Sequence, residues 1–280
     1  MRKTQKYLSL ILVISILLCS FLVTAYAADG DACVSTTDCT GTYENGFCTV
    51  CDGYEPALLM GNYYVIENAG NLYWFAEQVN SGNTSINAFL TDNIVVNTGD
   101  VAGCDGTMEE GWREWIDMGS YAMPYSGFFD GMDYTISGLY YKASSYSSQD
   151  YDGLFGCSNG TVANLGVVNS YFYAWNYFGG IVGYNSGTID SCYFSGTMKG
   201  YENVGGIAGY NAGGTVSNCY FDGAVSASYK LGGIAGFTNG IVKNCCAFGS
   251  VTAPNSSSYY VGAIAGFNNG YGTNGVFDCY

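Results

Sequence analysis

The 280-residue chain has no histidine, three prolines and eight Lys and Arg residues. Without histidine there can be no Ser-His-Asp or Cys-His nucleophile system, no HExxH zinc protease helix and no His-ligated metal site. Eight basic residues against 23 acidic ones leave no basic footprint for nucleic acid. Charged residues reach only 11% while hydrophobic residues reach 48%, which is not the composition of a disordered tail. What is abundant is Gly, with 41 residues, Tyr with 27 and Cys with 12.

The chain opens like an export signal over residues 1–27. Arg2, Lys3 and Lys6 precede an uncharged apolar run from Leu8 to Val23, and Ala25-Tyr26-Ala27 supplies a small-x-small cleavage site. The run is shorter than the roughly 20 residues a spanning helix needs. Leu18 before Cys19 does not fit a lipobox. No second long apolar run follows, so no membrane span is expected after cleavage, and the protein is expected to be secreted or held at the cell surface. Cleavage would leave five basic residues against 23 acids, a net charge of −18. That charge favours solubility without naming a partner.

Residues 28–61 form a small Cys-rich module containing Cys33, Cys39, Cys48 and Cys51. In an exported chain this spacing points to disulfides, which would hold together a segment too small for its own core. Cys48 and Cys51 also match half of a zinc knuckle, and the spacing defines no connectivity.

Residues 151–280 repeat. The units start at Asp152-Gly153-Leu154, Gly179-Gly180-Ile181, Gly205-Gly206-Ile207, Gly232-Gly233-Ile234 and Gly262-Ala263-Ile264, in steps of 27, 26, 27 and 30 residues. Each carries in phase an aromatic residue or Cys (Cys157, Tyr184, Tyr210, Phe237, Phe267), then a turn beginning at Asn159, Asn185, Asn211, Asn239 or Asn269. A β-branched residue (Val162, Ile189, Val216, Val242) leads to a second corner at Asn164, Ser191, Asn218 and Asn244. Beyond it the pattern alternates: Cys219, Phe221, Gly223 and Val225 share one face, Tyr220, Asp222 and Ala224 the other. Short strands, frequent corners and this period predict a solenoid in which like residues stack and corner Asn amides bond along the column.

Cys192, Cys219, Cys245 and Cys279 recur at one strand position and are expected to form an interior ladder of small hydrophobes. The parallel side chains of stacked strands disfavour disulfides between them. Tyr193, Tyr220, Tyr259 and Tyr260 are expected to face outward as a binding surface.

Residues 62–150 carry a capping helix and the first coils. Leu72, Phe75, Ala76 and Val79 define one apolar helix face, with Asn68 or Asn71 as its start and Asn80-Ser81-Gly82 as its end. Such a helix would cover the open end of the first coil. Phe89 to Val96 predicts a first strand, followed by strands around Gly127–Gly131 and Tyr134–Tyr140. Glu109, Glu110, Glu114 and Asp117 lie near Trp112 and Trp115, so paired carboxylates for sugar chemistry compete there with an exposed loop anchored by tryptophan. Asp130 and Asp133 fit turn chemistry and not a calcium loop.

The units Gly179-Gly180-Ile181-Val182-Gly183-Tyr184-Asn185 and Gly205-Gly206-Ile207-Ala208-Gly209-Tyr210-Asn211, each followed by Gly-Thr-Ile or Gly-Thr-Val, resemble GLUG-motif repeats. So does the lead-in Tyr125-Ser126-Gly127-Phe128-Phe129-Asp130-Gly131 with Thr135-Ile136-Ser137-Gly138-Leu139-Tyr140. Such repeats occur in bacterial secreted and surface proteins, including non-catalytic regions of IgA-specific metallopeptidases. The resemblance implies an all-β, right-handed parallel β-helix, and it does not imply peptidase activity. The chain stops at Cys279-Tyr280 within its fifth repeat, which suggests an open last coil or a fragment of a larger surface protein. The expected function is non-enzymatic: an adhesive or binding scaffold without a cofactor or metal. Its partner would be a surface glycan, a protein, or another chain at the open C-terminal coil. A carbohydrate-active β-helix enzyme is the alternative.

Overall fold

In a computed structural model, residues 41–145, 150–254, 259–270 and 274–280 are described. The export signal, Cys33 and Cys39 lie outside these residues. The described chain is a parallel β-solenoid with one helix, α1 (Ala69–Asn80). Its strands stack into two nine-stranded sheets, one five-stranded and one four-stranded sheet, with a separate two-stranded antiparallel hairpin of Tyr43–Glu44 and Phe47–Cys48.

The repeat registers follow the sequence steps. Phe155 pairs with Val182, Val182 with Ala208, Ala208 with Ala235 and Ala235 with Ala265, all in parallel. Val162, Ile189, Val216 and Val242 stack in a second sheet, all buried. Burial alternates along Cys219–Val225 as the period of two requires, with Phe221 and Val225 inside and Tyr220 and Ala224 outside. Phe172, Phe194 and Phe221 stack through the interior.

The repeated glycines answer steric demands. A Cβ at Gly205 would meet the Ala208 carbonyl oxygen, and a Cβ at Gly206 would meet the Phe221 ring and the Gly233 carbonyl. Left-handed backbone falls elsewhere. Asn164, Ser191, Asn218 and Asn244 take φ of 52°, 55°, 54° and 55° at the corner before the cysteine position. A further left-handed column, Tyr177, Asn203, Lys230 and Tyr260, lies in the four-stranded sheet. Its residue types share nothing that marks a corner.

The polar column, buried as far as Thr238 and exposed at Asn268, sits one residue away from the predicted one in three coils. Ser158, Asn185, Asn211, Thr238 and Asn268 are in register, so Asn159, Asn239 and Asn269 lie outside the column. Asn185 Nδ2 donates to Asn211 Oδ1 at 2.9 Å, and Asn211 Nδ2 donates to Thr238 Oγ1 at 3.2 Å.

Helix α1 is capped by Asn68, whose side chain accepts from Asn71 N at 2.9 Å. Leu72, Phe75, Ala76 and Val79 are buried, and Phe75 packs edge-on against Tyr125 and Phe129. The helix connects the parallel-paired strands Tyr63–Ile66 and Asn87–Leu90, so it occupies the first coil and closes its end. The predicted strand Phe89–Val96 is two strands, Asn87–Leu90 and Ile94–Val95, in different sheets. The polar segment Thr91–Asn93 turns the corner between them. The described part of the Cys-rich module is also not self-contained. Phe47 and Ala57 belong to the main core, and Phe47 packs edge-on against Tyr73 of α1 at 5.3 Å.

Candidate functional site

The four ladder cysteines share one geometry. Cys219 Sγ donates to Ser217 O at 3.1 Å and reaches Ile189 O of the preceding coil at 3.9 Å. Cys192, Cys245 and Cys279 repeat the pattern, each bonding the carbonyl two residues back and one in the coil below. Cys192, Cys219 and Cys245 are buried; Cys279, in the last coil, is half-buried. Burial pushes the Cys192 thiol up to about 12 and holds Cys219 well above the usual thiol range. Cys245 moves the other way, its thiol lowered by the hydrogen bond from Cys219, so Cys192 and Cys219 are the protonated, inert members, and all four thiols satisfy corner carbonyls.

No disulfide joins one described cysteine to another. Cys48 and Cys51 each accept a backbone amide at 3.4 Å, from Val50 and Gly53. A bridge between these two is thus not formed, and their pairing with Cys33 and Cys39 falls outside the described residues.

The tyrosines chosen from sequence divide between two sheets. Tyr193 and Tyr220 stack face to face at 4.5 Å and 5°, with Tyr220 39% exposed. Tyr259 stacks on Tyr229 at 5.9 Å in the four-stranded sheet, and Tyr260 meets Phe267 edge-on at 4.8 Å. Both are exposed. The structure does not bring the four into one surface.

A larger aromatic ridge extends the column of Tyr184, Tyr210 and Phe237 that the repeat predicts. Tyr210 and Phe237 stack at 4.5 Å, and Tyr184 meets Tyr210 at 5.2 Å. Tyr177 and Tyr151 stack at 4.9 Å, and Tyr121 caps Tyr151 at 5.3 Å and 15°. The column of Tyr184, Tyr210 and Phe237 was legible as a repeat. Its continuation through Tyr121 and Tyr151 comes from non-repeating loops.

The acidic segment 109–117 separates into two groups. Glu109 and Glu110 are exposed, and Glu114 Oε1 accepts the Lys142 amide at 3.3 Å. Trp112 and Trp115 are buried anchors, their indole N–H groups bonding Thr98 O at 3.1 Å and Gly153 O at 3.0 Å. Asp117, half-buried, accepts the Gly153 amide through Oδ1 at 3.4 Å and lines one cleft with Asp152 of the first repeat. Burial, then the Asp152 charge, raise Asp117 well above the ordinary carboxylate range. Burial also raises Asp152, against the hydrogen bond from Tyr141. Asp130 accepts from Met132 N and Asn164 Nδ2, both at 2.9 Å, as a turn residue does.

The fold and its stacked outer columns define a parallel β-solenoid repeat domain. The GLUG motif matches residues 176–198 and 200–226, two of its coils. Over 85 residues, 30% of this chain, the sequence is 35% identical to halomucin of Haloquadratum walsbyi, and the match spans 1% of that protein's length. The crystal structure of a Bacteroides ovatus protein described as an immunoglobulin A1 protease is similar over 78% of this chain and 84% of that one. Its TM-score is 0.51 at 22% identity, a likeness of fold.

Proposed function

We propose that this chain is a secreted or cell-surface scaffold that binds a glycan or protein and does no chemistry on it. The observation that carries this reading is the outward Tyr193–Tyr220 stack at 4.5 Å. The same 4.5 Å face-to-face spacing recurs between Tyr210 and Phe237, while Gly166 and Cys246 flank the Tyr193–Tyr220 pair in register, so the solenoid displays short rigid aromatic stacks at low entropic cost. The export signal over residues 1–27 supports delivery outside the cytoplasm. The GLUG repeats and the fold shared with an immunoglobulin A1 protease support the scaffold role.

An enzymatic reading would rest on Asp117 and Asp152. Glycoside hydrolysis places its two carboxyls about 5–5.5 Å or about 6.5–9.5 Å apart. Asp152 is 4% exposed and its Oδ2 is buried, which puts that carboxyl out of reach of a sugar carbon. The test is an array of glycans and glycoproteins probed with the full chain and with a Tyr193→Ser/Tyr220→Ser variant. Retention that the double substitution reduces supports the scaffold; a blank array for both proteins counts against it.

A further inference from the structure

The aromatic ridge lies on the outside of the solenoid, across the five-stranded and four-stranded sheets. Tyr184, Tyr210, Phe237 and Phe267 are in register on successive coils of the five-stranded sheet. Tyr177 of the four-stranded sheet joins them, 6.0 Å from Tyr210 and tilted by 32°. Tyr210 and Phe237 are parallel to within 6°, whereas Tyr184 stands perpendicular to Tyr210. Tyr184, Tyr210 and Phe237 are each half-buried between buried strand neighbours, so their rings hold fixed outward positions. Successive rings are set by the coil spacing of about 4.8 Å.

The hydroxyls of these tyrosines are not used by the fold. Core-anchoring tyrosines give theirs to the backbone: Tyr73 to Glu114 O at 2.9 Å, Tyr125 to Ile86 O at 3.0 Å and Tyr140 to Gly106 O at 2.8 Å. Among the described residues no protein group accepts from the Tyr177 or Tyr184 hydroxyl. Tyr210 Oη accepts from Asn239 Nδ2 at 3.0 Å, which leaves its own O–H free to donate. Burial raises Tyr184 and Tyr210 above the usual phenol range, so both remain protonated donors at neutral pH.

The charge beside the ridge is compensated. Lys230 Nζ lies 5.5 Å from the Phe237 ring and is bonded to Glu202 at 2.7 Å. A cationic ligand finds that carboxylate already taken, and an anionic one meets a chain of net charge −15.

We propose that this ridge binds a neutral, extended β-linked glycan whose chain runs along the solenoid axis with one hexose per coil. The assignment rests on the scaffold reading and names a ligand class for it, on a different sheet from the Tyr193–Tyr220 stack. The coil spacing is close to the advance of one hexose in such a chain, so sugars and coils stay in phase. A peptide strand advances about 3.3 Å per residue and falls out of phase within two coils. The apolar face of a hexose packs on an aromatic ring, and its oxygens accept from the free phenol O–H groups.

Titration calorimetry of the full chain with neutral hexamers of β-1,4-linked glucose, mannose and N-acetylglucosamine, and with a galacturonate hexamer, tests this. At least one neutral hexamer is expected to bind about tenfold more tightly than its own disaccharide and than the galacturonate hexamer. Its affinity should change less than about twofold between low and high salt, because no ion pair forms. Tyr184→Ala and Tyr210→Ala should each weaken it by about tenfold, with circular dichroism and melting temperature reporting that each variant is folded. Tyr184→Phe keeps the ring and removes only the hydroxyl, and should weaken it by about threefold. Failure of every neutral hexamer, equal binding of hexamer and disaccharide, a preference for galacturonate, or binding that survives all three ridge substitutions overturns the proposal. If hexamer binding is lost only on Tyr193→Ser/Tyr220→Ser, the ridge assignment falls and the scaffold stands. The same holds if the hexamers fail while glycoproteins are retained after enzymatic deglycosylation, which would make the ligand a protein. If the hexamers fail and the array is also blank, both readings fall.

Discussion

The side-chain amide of Asn185 donates to Asn211 Oδ1 at 2.9 Å, and neither side chain is exposed to solvent. Inside the solenoid each such amide satisfies its neighbour one coil away, so the column behaves as a unit. Asn211→Ala removes the acceptor for Asn185 and the donor to both Thr238 Oγ1 and Ile241 O. It should cost about 1–3 kcal/mol of stability, read from denaturant unfolding. Asn239→Ala, outside the column, should cost well under half of that. Equal losses would mean that the buried register is wrong.

Gly206 is required by contact with a neighbouring coil. Its missing Cβ is the space taken by the Phe221 ring and the Gly233 carbonyl. Gly206→Ala is therefore expected to lower the melting temperature of the full chain, at a cost of about 1–3 kcal/mol. Gly213→Ala serves as the contrast, because a Cβ there meets no atom and only its φ of 79° resists the change. A harmless Gly206→Ala would contradict the coil packing.

Asp117 and Asp152 both have raised carboxyl affinities for the proton in the folded state. Between the ordinary carboxylate range and their raised values the native state binds more protons than the unfolded chain. Stability should thus increase as pH falls from neutrality into mild acid, and fall as pH rises through the raised values. Asp117→Asn removes one of these carboxyls. It should stabilise the protein by about 1–3 kcal/mol at neutral pH and by nothing below the carboxylate range. A variant with an unchanged pH profile would show that Asp117 does not titrate in this window.

The buried part of the cysteine ladder should be chemically silent. In the native protein Cys192, Cys219 and Cys245 are buried, whereas Cys104 and Cys246 are partly accessible. Alkylation followed by peptide mass mapping should label Cys104, Cys246 and the half-buried ladder end Cys279 first, and Cys192, Cys219 and Cys245 only on unfolding. Early labelling of Cys219 would contradict the interior assignment.

The solenoid was legible because each coil repeats its demands. Phe155, Val182, Ala208, Ala235 and Ala265 fall in register at the spacing read from the Gly-rich units. The turn column was misread by one residue at Ser158, Thr238 and Asn268, because Asn159, Asn239 and Asn269 mimic the Asn of the longer turns. The Tyr177–Asn203–Lys230–Tyr260 column left no signal, since Tyr, Asn and Lys adopt the same left-handed backbone there. The cleft was illegible for a different reason. Asp117 comes from the acidic loop and Asp152 opens the first repeat, so only the closed coils bring them to one cleft.

The claim that this solenoid binds without transforming its ligand is tested most directly by mass spectrometry. The glycan or glycoprotein that the full chain retains should be recovered with its mass unchanged after prolonged incubation. Shorter products that disappear when Asp117→Asn or Glu114→Gln is introduced would contradict the account.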